Sequence, residues 1–214
     1  VGVAGPLHLR GDLANGRFWL PLATTEGALV ASVNRGCAAI TRAGGADVRI
    51  VRNGMTRAPV FSTTDILHAM AVKGFVDGNR EALAAAAAET TSHGELTGAM
   101  AFVTGTTVHV RLEFDTKDAM GMNMVTIASE RIANLIEEQT GAHLVALSGN
   151  LCTDKKPAAV NGLLGRGKTV VAGVRLPGAL VSEVFKTDAG TLAEVNYRKN
   201  LVGSARAGSL GYNA

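Results

Sequence analysis

Three features are scarce in this sequence: long apolar runs, cysteines and aromatic side chains. No stretch approaches the roughly 18 consecutive apolar residues of a membrane-spanning helix, and no secretory signal peptide is recognisable. Cys37 and Cys152 are the only cysteines, too few for a disulfide framework or a structural metal site. We therefore expect a globular protein without a bound metal, in a reducing, cytoplasmic setting. A membrane anchor upstream of Val1 stays open.

Aromatic residues make up 4% of the chain, whereas glycine is abundant at 26 residues. Glycine suits tight turns and the close approach of backbone to a ligand. With 214 residues, the chain has room for one large domain or two small ones. The net charge of +3 fits either nucleic acid or an anionic small ligand. Because the basic residues are scattered along the chain, charge alone does not distinguish these two kinds of partner.

Hydrophobic periodicity divides the chain into three stretches. Residues 1–57 are rich in glycine around one amphipathic helix. Residues 58–147 predict the order strand, helix, strand, strand, helix, strand, which is typical of the ferredoxin-like βαββαβ arrangement; alternation over 106–114 gives the clearest strand. Residues 148–214 return to the glycine-rich, partly helical pattern of residues 1–57. The predicted fold class is therefore α+β, with a large mixed α/β domain formed by 1–57 and 148–214 and a small ferredoxin-like domain inserted at 58–147.

Charged and potentially reactive side chains are most concentrated in the loop 148–157, which reads SGNLCTDKKP between two apolar segments. Functional loops are commonly held between buried anchors in this way. Lys155 and Lys156 are adjacent cations, and an ammonium group stabilises a developing oxyanion well. The alternative interpretation is a solvated surface turn.

Two predicted helix starts also contain candidate functional residues. Glu26 stands among apolar neighbours, where it either caps the helix or is buried with a raised pKa; the cap is the simpler interpretation. The segment Asp118–Met124 reads DAMGMNM. Its Gly121 permits close approach of a ligand, and the free amides of a first helical turn suit a cofactor phosphate. The alternative is an ordinary helix start with Asp118 as the cap.

The sequence also suggests two other functions. Residues 162–169 read GLLGRGKT, which matches the phosphate-loop pattern of nucleoside triphosphatases. That motif needs a strand before it and a helix after it, yet a strand-like sequence follows, so Arg166 and Lys168 are better explained as surface charge or as contacts to an anionic ligand. The ferredoxin-like order also suggests an RNA-recognition module, but such modules stack bases on aromatics, and the two predicted strands offer only Phe102 and Phe114.

Taken together, these stretches resemble the 3-hydroxy-3-methylglutaryl-coenzyme A reductase family. The matching segments follow one another in the family's order over essentially the whole chain. The Ala-Thr-Thr-Glu-Gly motif resembles that of the first class of the family. The segments that carry it are VGVAGPL from Val1, LATTEG to Gly27, SVNRGC to Cys37, NGMTR to Arg57, DAMGMNM from Asp118, SGNLCTDKKPAAVN from Ser148, GRGK to Lys168 and NLVGSARAGSLGYNA to Ala214.

The resemblance implies reduction of a coenzyme A thioester to mevalonate by two hydrides from NADPH. It implies catalytic roles for Glu26 and Lys155, with a raised pKa at Glu26. It assigns the hydroxymethylglutaryl group to Arg57, Ser148, Asp154, Lys156 and Lys199. It assigns coenzyme A to Ser32, Asn34 and Arg35. It assigns NADPH to the inserted small domain, at Asp118, Ala119, Met120, Gly121, Met122, Asn123 and Met124.

The resemblance further implies a homodimer or higher homo-oligomer with shared active sites, in which Glu26 of one subunit meets the loop 148–157 of another, and no nucleic-acid partner. Some family motifs are missing. Ala38 stands where some members have an arginine, and the stretch 91–93 lacks the arginine expected near the cofactor 2′-phosphate. The N-terminal dimer segment, a later catalytic aspartate and a histidine that protonates the thiolate are also missing. We therefore expect a fragment that lacks both ends and is inactive alone.

Overall fold

The computed structural model describes residues 1–209, and the last five residues of the motif that ends at Ala214 lie outside the described part. Helices and strands are interspersed along the chain, which confirms the mixed α+β class. The strands are β1 Gly2–Gly11, β2 Asn15–Leu22, β3 Ala46–Arg57, β4 Val60–Ser62, β5 Glu95–Thr104, β6 Thr107–Asp115, β7 His143–Ala146 and β8 Gly167–Gly173. The helices are α1 Gly27–Arg42, α2 Ile66–Gly78, α3 Arg80–Ala88, α4 Met122–Thr140, α5 Val160–Leu164, α6 Gly178–Phe185, α7 Ala189–Asn196 and α8 Ser204–Ala207, with a π-helical turn Tyr197–Gly203 before α8.

The chain forms two compact units. The first contains Val1–Val51 together with the chain from Val170 onward, and the second contains Arg52–Thr169. The second unit therefore extends beyond the predicted insertion 58–147 at both ends and includes the loop 148–157. The division into substrate and cofactor domains at residues 57 and 147 concerns function and stays a prediction.

In the first unit, a hairpin of two strands packs against one helix. Strand β1 pairs antiparallel with β2 and parallel with the start of β3, where Leu9 lies opposite Ala46. Helix α1 packs on β1. Its buried side is small, because Cys37 and Ala39 are the residues of α1 that lose nearly all exposure.

The second unit is a sheet covered on one face by α2, α3 and α4. Its antiparallel strands lie in the order β7-β4-β6-β5, and the end of β3 also pairs with β6. The strand predicted at 106–114 is present as β6, and its apolar residues Val108, Val110, Leu112 and Phe114 are at most 1% exposed. They form the centre of the core with Phe61, Leu83, Ile132 and Ile136. Burial of such side chains contributes roughly 1.5–3 kcal/mol each.

No helix within residues 1–209 is long and apolar enough to cross a membrane. The same residues contain no group of three or more histidine, cysteine or acidic side chains arranged to hold a metal ion.

Candidate functional site

The loop 148–157 is tied to the end of β3 and the segment after it. Gly149 donates its amide hydrogen to the carbonyl of Ala58 at 2.7 Å, and Ser148 forms an isolated bridge with the same residue. The hydroxyl of Thr56 donates to the carbonyl of Cys152 at 2.7 Å, in a fully buried position. These bonds hold the loop in place, because buried backbone groups must find partners inside the protein.

The loop backbone departs from ordinary geometry at three non-glycine residues. Asn150, Thr153 and Lys155 have φ values of 67°, 56° and 58°, in the left-handed region that disfavours residues with a Cβ. Thr153 also lies 2.6 Å from Asn161 through their side-chain oxygens. Each left-handed residue costs of the order of 1–2 kcal/mol, so the surrounding bonds hold the loop in a strained shape.

Three charged side chains form the centre of the site, which we call the Asp154 cluster: Arg57, Asp154 and Arg166. Asp154 Oδ2 lies 3.5 Å from Arg57 Nη1, and Asp154 Oδ1 accepts from Arg166 Nη2 at 2.7 Å. All three side chains are only 17–18% exposed. Because two guanidinium groups share one carboxylate, the cluster carries a net positive charge and suits an anionic ligand.

The predicted lysines stand beside this cluster. Lys155 and Lys156 are both exposed, and Lys156 Nζ donates to the carbonyl of Asp154 at 3.0 Å. Half-buried Ser148 completes the group, with its Oγ 3.3 Å from Cys152 Sγ. The structure therefore holds Arg57 and the predicted loop residues Ser148, Asp154, Lys155 and Lys156 in one region of the second unit; the other predicted residues of this unit, Asp118–Met124, are described below.

The thiol of Cys152 is fully buried beneath the loop. Burial raises its pKa, but hydrogen bonds from the Ser148 hydroxyl and the Asp154 amide, together with the charge of Arg57, outweigh burial and hold the net pKa below its ordinary value. The hydrogen bond from Ser148 is thus the largest of the causes that lower the pKa of this thiol.

Arg111 and Arg166 belong to the same site; the sequence suggested surface charge or an anion contact for Arg166 and assigned no role to Arg111. Arg111 is 4% exposed; its Nε donates to the carbonyl of Leu151 at 3.3 Å and its Nη2 to that of Gly165 at 2.7 Å. Burial is the main reason that the pKa of Arg111 is lowered. The alternation over 106–114 puts Arg111 on the face of β6 opposite its apolar residues, and the segments around Leu151 and Gly165 cover that face.

The segment Asp118–Met124 lies at the start of α4. The N-cap of this helix is Gly121, with φ 75°, so the alternative that Asp118 caps the helix is wrong. A Cβ on Gly121 would lie 2.5 Å from the side chain of Thr116, and Met120 is 65% exposed. Glycine is required here by both the backbone conformation and the lack of space.

A cavity of about 270 Å³ opens beside this helix start. Lys168 lies in its wall, where Lys168 Nζ donates to Asn53 Oδ1 at 3.0 Å and to the carbonyl of Lys117 at 3.3 Å. The other lining residues are Met55, Thr116, Asp118, Ala119, Met120 and Gly167. Lys168 is the cation that this cavity offers to an anionic group, because Lys117 Nζ is already paired with Glu95 and Asp115.

The predicted residues of the first unit are all exposed: Glu26, Ser32, Asn34, Arg35 and Lys199. Glu26 occupies the N-cap position of α1, but its side chain makes no capping hydrogen bond. Within this chain Glu26 is therefore neither buried nor a side-chain cap, contrary to both expectations. Asn34 Oδ1 accepts from the amide of Gly5 at 2.9 Å.

Neither alternative function is supported. The triphosphatase-like segment 162–169 overlaps the end of α5 and the start of β8, the reverse of the strand-loop-helix order that a phosphate loop needs. Phe114 is buried in the core rather than displayed on an open sheet face. The sheet therefore has no pair of aromatics for stacking bases.

Comparison with known proteins places these features in a family context. The family model described as hydroxymethylglutaryl-coenzyme A reductase matches residues 1–214. Over 214 residues the chain is 59% identical to the 3-hydroxy-3-methylglutaryl-coenzyme A reductase of Halobacterium salinarum, covering all of this chain and 53% of that protein. It is 54% identical over 215 residues to the enzyme of the same name from Methanothermobacter thermautotrophicus, covering 54% of it.

Among solved structures, the class II 3-hydroxy-3-methylglutaryl-CoA reductase from Streptococcus pneumoniae, bound to NADPH in open conformations, matches with a TM-score of 0.65 at 16% identity. The match covers 94% of this chain and 50% of that one. At this identity the likeness concerns the fold. The chain spans about half the length of the curated archaeal relatives described above.

Proposed function

Because the chain belongs to the hydroxymethylglutaryl-coenzyme A reductase family, we propose that the protein reduces 3-hydroxy-3-methylglutaryl-CoA to mevalonate in the mevalonate pathway. The balanced reaction consumes one thioester, two NADPH and two protons, and yields mevalonate, free coenzyme A and two NADP⁺. The observation that carries the proposal is the loop 148–157, which presents two lysines beside the Asp154 cluster.

Lys155 is the group that stabilises the oxygen of the substrate carbonyl as it gains charge. It stands on a strained, anchored backbone with φ 58°, and within the described part of the chain its ammonium group has no hydrogen-bond or ion-pair partner. The fixed backbone places the side chain beside the Asp154 cluster, and an ammonium group without a protein partner in the described residues can contact a developing oxyanion. The same geometry supports Lys155 as an oxyanion contact.

The hydroxymethylglutaryl carboxylate is the ligand that fits the Asp154 cluster. Arg57 offers a planar donor pair, and its buried Nε lacks a hydrogen-bond partner in the described part of the chain. Lys156 and Ser148 add a second cation and a hydroxyl. For Lys199 in this pocket, for Ser32, Asn34 and Arg35 at coenzyme A, and for Glu26 as a proton donor, the support is the family resemblance.

NADPH is the proposed cofactor, and the residues at the start of α4 fit it. Gly121 carries no side chain at the N-cap of α4, which leaves its backbone partly exposed to a ligand. Lys168, in the wall of the neighbouring cavity, suits a cofactor phosphate. When bound, NADPH supplies hydride to the substrate. The residues proposed to hold it are Asp118, Ala119, Met120, Gly121, Met122, Asn123 and Met124.

We infer that 58–147 is a ferredoxin-like cofactor domain inserted into a substrate-binding domain made of 1–57 and 148–214. The element order β4, α2 with α3, β5, β6, α4, β7 and the strand order β7-β4-β6-β5 support this. We also propose a cytoplasmic homodimer or higher homo-oligomer, with Glu26 supplied by the neighbouring subunit. The exposure of Glu26 in one chain is compatible with that role.

The test is NADPH oxidation by the full-length protein, followed by absorbance at the nicotinamide band. We expect oxidation that depends on 3-hydroxy-3-methylglutaryl-CoA, with two NADPH consumed per thioester and mevalonate identified by mass spectrometry. Oxidation that is independent of the thioester would contradict the proposal. ATP hydrolysis that is lost in Lys168→Ala would also contradict the proposal, and it would support a nucleoside triphosphatase instead.

A further inference from the structure

The short turn Gly165–Gly167 is built to present one side chain. Gly165 and Gly167 have φ values of 70° and 68°, and a Cβ on Gly165 would lie 3.0 Å from Thr169 Oγ1 and 3.1 Å from Arg52 Cδ. The two glycines are therefore backbone requirements of the turn. The residue between them, Arg166, points into the site described above rather than toward a nucleotide phosphate.

Arg111 fixes the backbone on which Arg166 stands. Its guanidinium donates to the carbonyl of Gly165, the residue before Arg166, and to the carbonyl of Leu151, three residues before Asp154. One buried cation thus holds the segments that carry Arg166 and Asp154. Because charge-assisted hydrogen bonds in buried positions are strong, this arrangement limits how far either segment can move alone.

The terminal Nη2 of Arg166 contacts two segments at once. It donates to Asp154 Oδ1 at 2.7 Å and lies 3.2 Å from Met122 Sδ. Asp154 belongs to the loop proposed for substrate, and Met122 is the first residue of α4, proposed for cofactor. A single amino group therefore connects the substrate loop and the cofactor helix directly.

The Asp154 cluster can respond to a ligand. Both Arg57 and Arg166 have a buried Nε without a hydrogen-bond partner in the described part of the chain, and unpaired buried donors are costly. A ligand carboxylate at Arg57 would compete with Asp154 for that guanidinium. Asp154 would then depend on Arg166, and so on the position of Met122.

We propose that Arg166 is a positioning residue that couples the substrate and cofactor sites, so that each ligand tightens the binding of the other. This rests on the proposed function, because it takes Asp154 as substrate-binding and Met122 as cofactor-binding. A cofactor at the start of α4 orders Met122 and with it Arg166, which leaves less ordering for the substrate to complete. Such coupling is reciprocal and typically amounts to about 5-fold or more.

The experiment measures binding in the full-length protein without turnover. NADP⁺ and 3-hydroxy-3-methylglutaryl-CoA form a ternary complex that cannot transfer hydride, so calorimetry can give the thioester Kd with and without saturating NADP⁺. In the wild type we expect NADP⁺ to lower this Kd about 5-fold or more. In Arg166→Met the ratio of the two Kd values should fall toward one.

Two variants complete the test. Met122→Leu keeps the volume and removes the sulfur contact, so its ratio should lie between those of the wild type and Arg166→Met. Arg131→Met is the matched control, because Arg131 stands on α4 and pairs with Glu89 at the surface; its ratio should equal that of the wild type. If Arg166→Met does not fold, the ratio of the two Kd values in Met122→Leu tests the coupling role by itself.

The outcomes are distinct. A wild-type ratio of one, or an unchanged ratio in Arg166→Met or in Met122→Leu, would overturn the coupling role while leaving the proposed function intact. Failure of the wild type to bind either ligand would overturn the proposed function, and the coupling role with it.

Discussion

Thr56 donates its hydroxyl hydrogen to the carbonyl oxygen of Cys152 at 2.7 Å, and neither residue is exposed. Ninety-six positions separate the two residues along the chain, so this bond joins the end of β3 to the centre of the loop 148–157. The Thr153 hydroxyl lies 2.7 Å from the same carbonyl and 2.6 Å from Asn161 Oδ1, and its single hydrogen can serve only one of these two acceptors.

Thr56→Val tests this anchor. We expect a loss of about 0.5–1.5 kcal/mol in the free energy of unfolding, the typical contribution of one hydrogen bond, together with a lower turnover number because Lys155 is less well held. Denaturant unfolding and steady-state kinetics measure the two effects. Thr56→Ser keeps the hydroxyl and should retain turnover; equal turnover in wild type and Thr56→Val would show that the anchor is not needed for catalysis.

Lys155→Ala in the full-length protein should remove most turnover, because one oxyanion contact typically contributes roughly 10²–10³ in rate. NADPH should still bind, since the proposed cofactor residues lie in another segment. Lys73→Ala is the control, because Lys73 forms a surface pair with Asp77 on α2. Retention of more than about a third of the wild-type rate would refute the assignment, given that expected loss.

Arg57→Asp should raise the Michaelis constant of the thioester about 10-fold or more, because it replaces a charge-assisted contact worth roughly 1.5–3 kcal/mol by a repelling carboxylate. Arg57→Lys keeps the charge but loses the planar donor pair, so its increase should be smaller. Initial rates over a range of thioester concentrations measure both variants. An unchanged Michaelis constant in Arg57→Asp would remove Arg57 from the substrate pocket.

Two glycines at opposite ends of α4 form a matched pair. Gly121 and Gly141 have nearly equal φ values of 75° and 72°, but a Cβ would meet Thr116 at 2.5 Å only in the first case. Gly141→Ala should cost about 1 kcal/mol from the backbone conformation alone, whereas Gly121→Ala adds overpacking of about 1–3 kcal/mol. Thermal unfolding compares them, and equal costs would show that the close approach at Gly121 is relaxed easily.

Gly121→Ala should also weaken NADPH binding, because the added methyl group collides with Thr116 and so displaces the helix start that the proposed cofactor contacts. Gly141→Ala lies at the other end of the helix and should bind NADPH normally. Nicotinamide fluorescence titration gives the two dissociation constants. Normal binding by Gly121→Ala would argue against a cofactor at this helix start.

Asp65 caps α2 by accepting from the amide of His68 at 2.8 Å. That hydrogen bond is the main cause that lowers the pKa of Asp65 in the folded protein. Since the folded pKa lies below the unfolded one, the stabilisation is complete above about pH 4 and is lost as the pH falls through the folded pKa. Asp65→Asn should therefore unfold at a lower temperature than wild type near neutral pH, and this gap should close below about pH 4; a gap independent of pH would contradict the charged cap.

Local sequence patterns were sufficient to predict an element whose position depends on one apolar face. The alternation of Val108, Val110, Leu112 and Phe114 predicted β6 and its buried face correctly, and the polar composition of 148–157 identified the loop. The same alternation puts Arg111 on the opposite face of β6 but does not show that this face is covered, because the covering segment comes from residues 151–165, about 40 or more positions later. Periodicity reports which side of a strand is apolar, not what covers the other side.

The helix start at Gly121 was missed for a different reason. Asp118 has the side chain of a typical cap, but the left-handed conformation of Gly121 begins the helix three residues later. Likewise, no local preference predicts φ of 58° at Lys155, since this conformation exists only because tertiary bonds at Thr56 and Arg111 hold the loop. The chemistry of these segments was visible in the sequence, whereas their shape depends on distant residues.

The strained backbone at Asn150, Thr153 and Lys155 limits how this site can be transplanted. A synthetic peptide of residues 148–157 would relax to ordinary backbone conformations, because the three left-handed residues together disfavour the native shape by several kcal/mol, of the order of 1–2 kcal/mol each. The carbonyls at Leu151 and Cys152 would lose the donors that now compensate this cost. An engineer who grafts the ten-residue sequence onto another scaffold must therefore carry along a threonine and an arginine from two neighbouring strands.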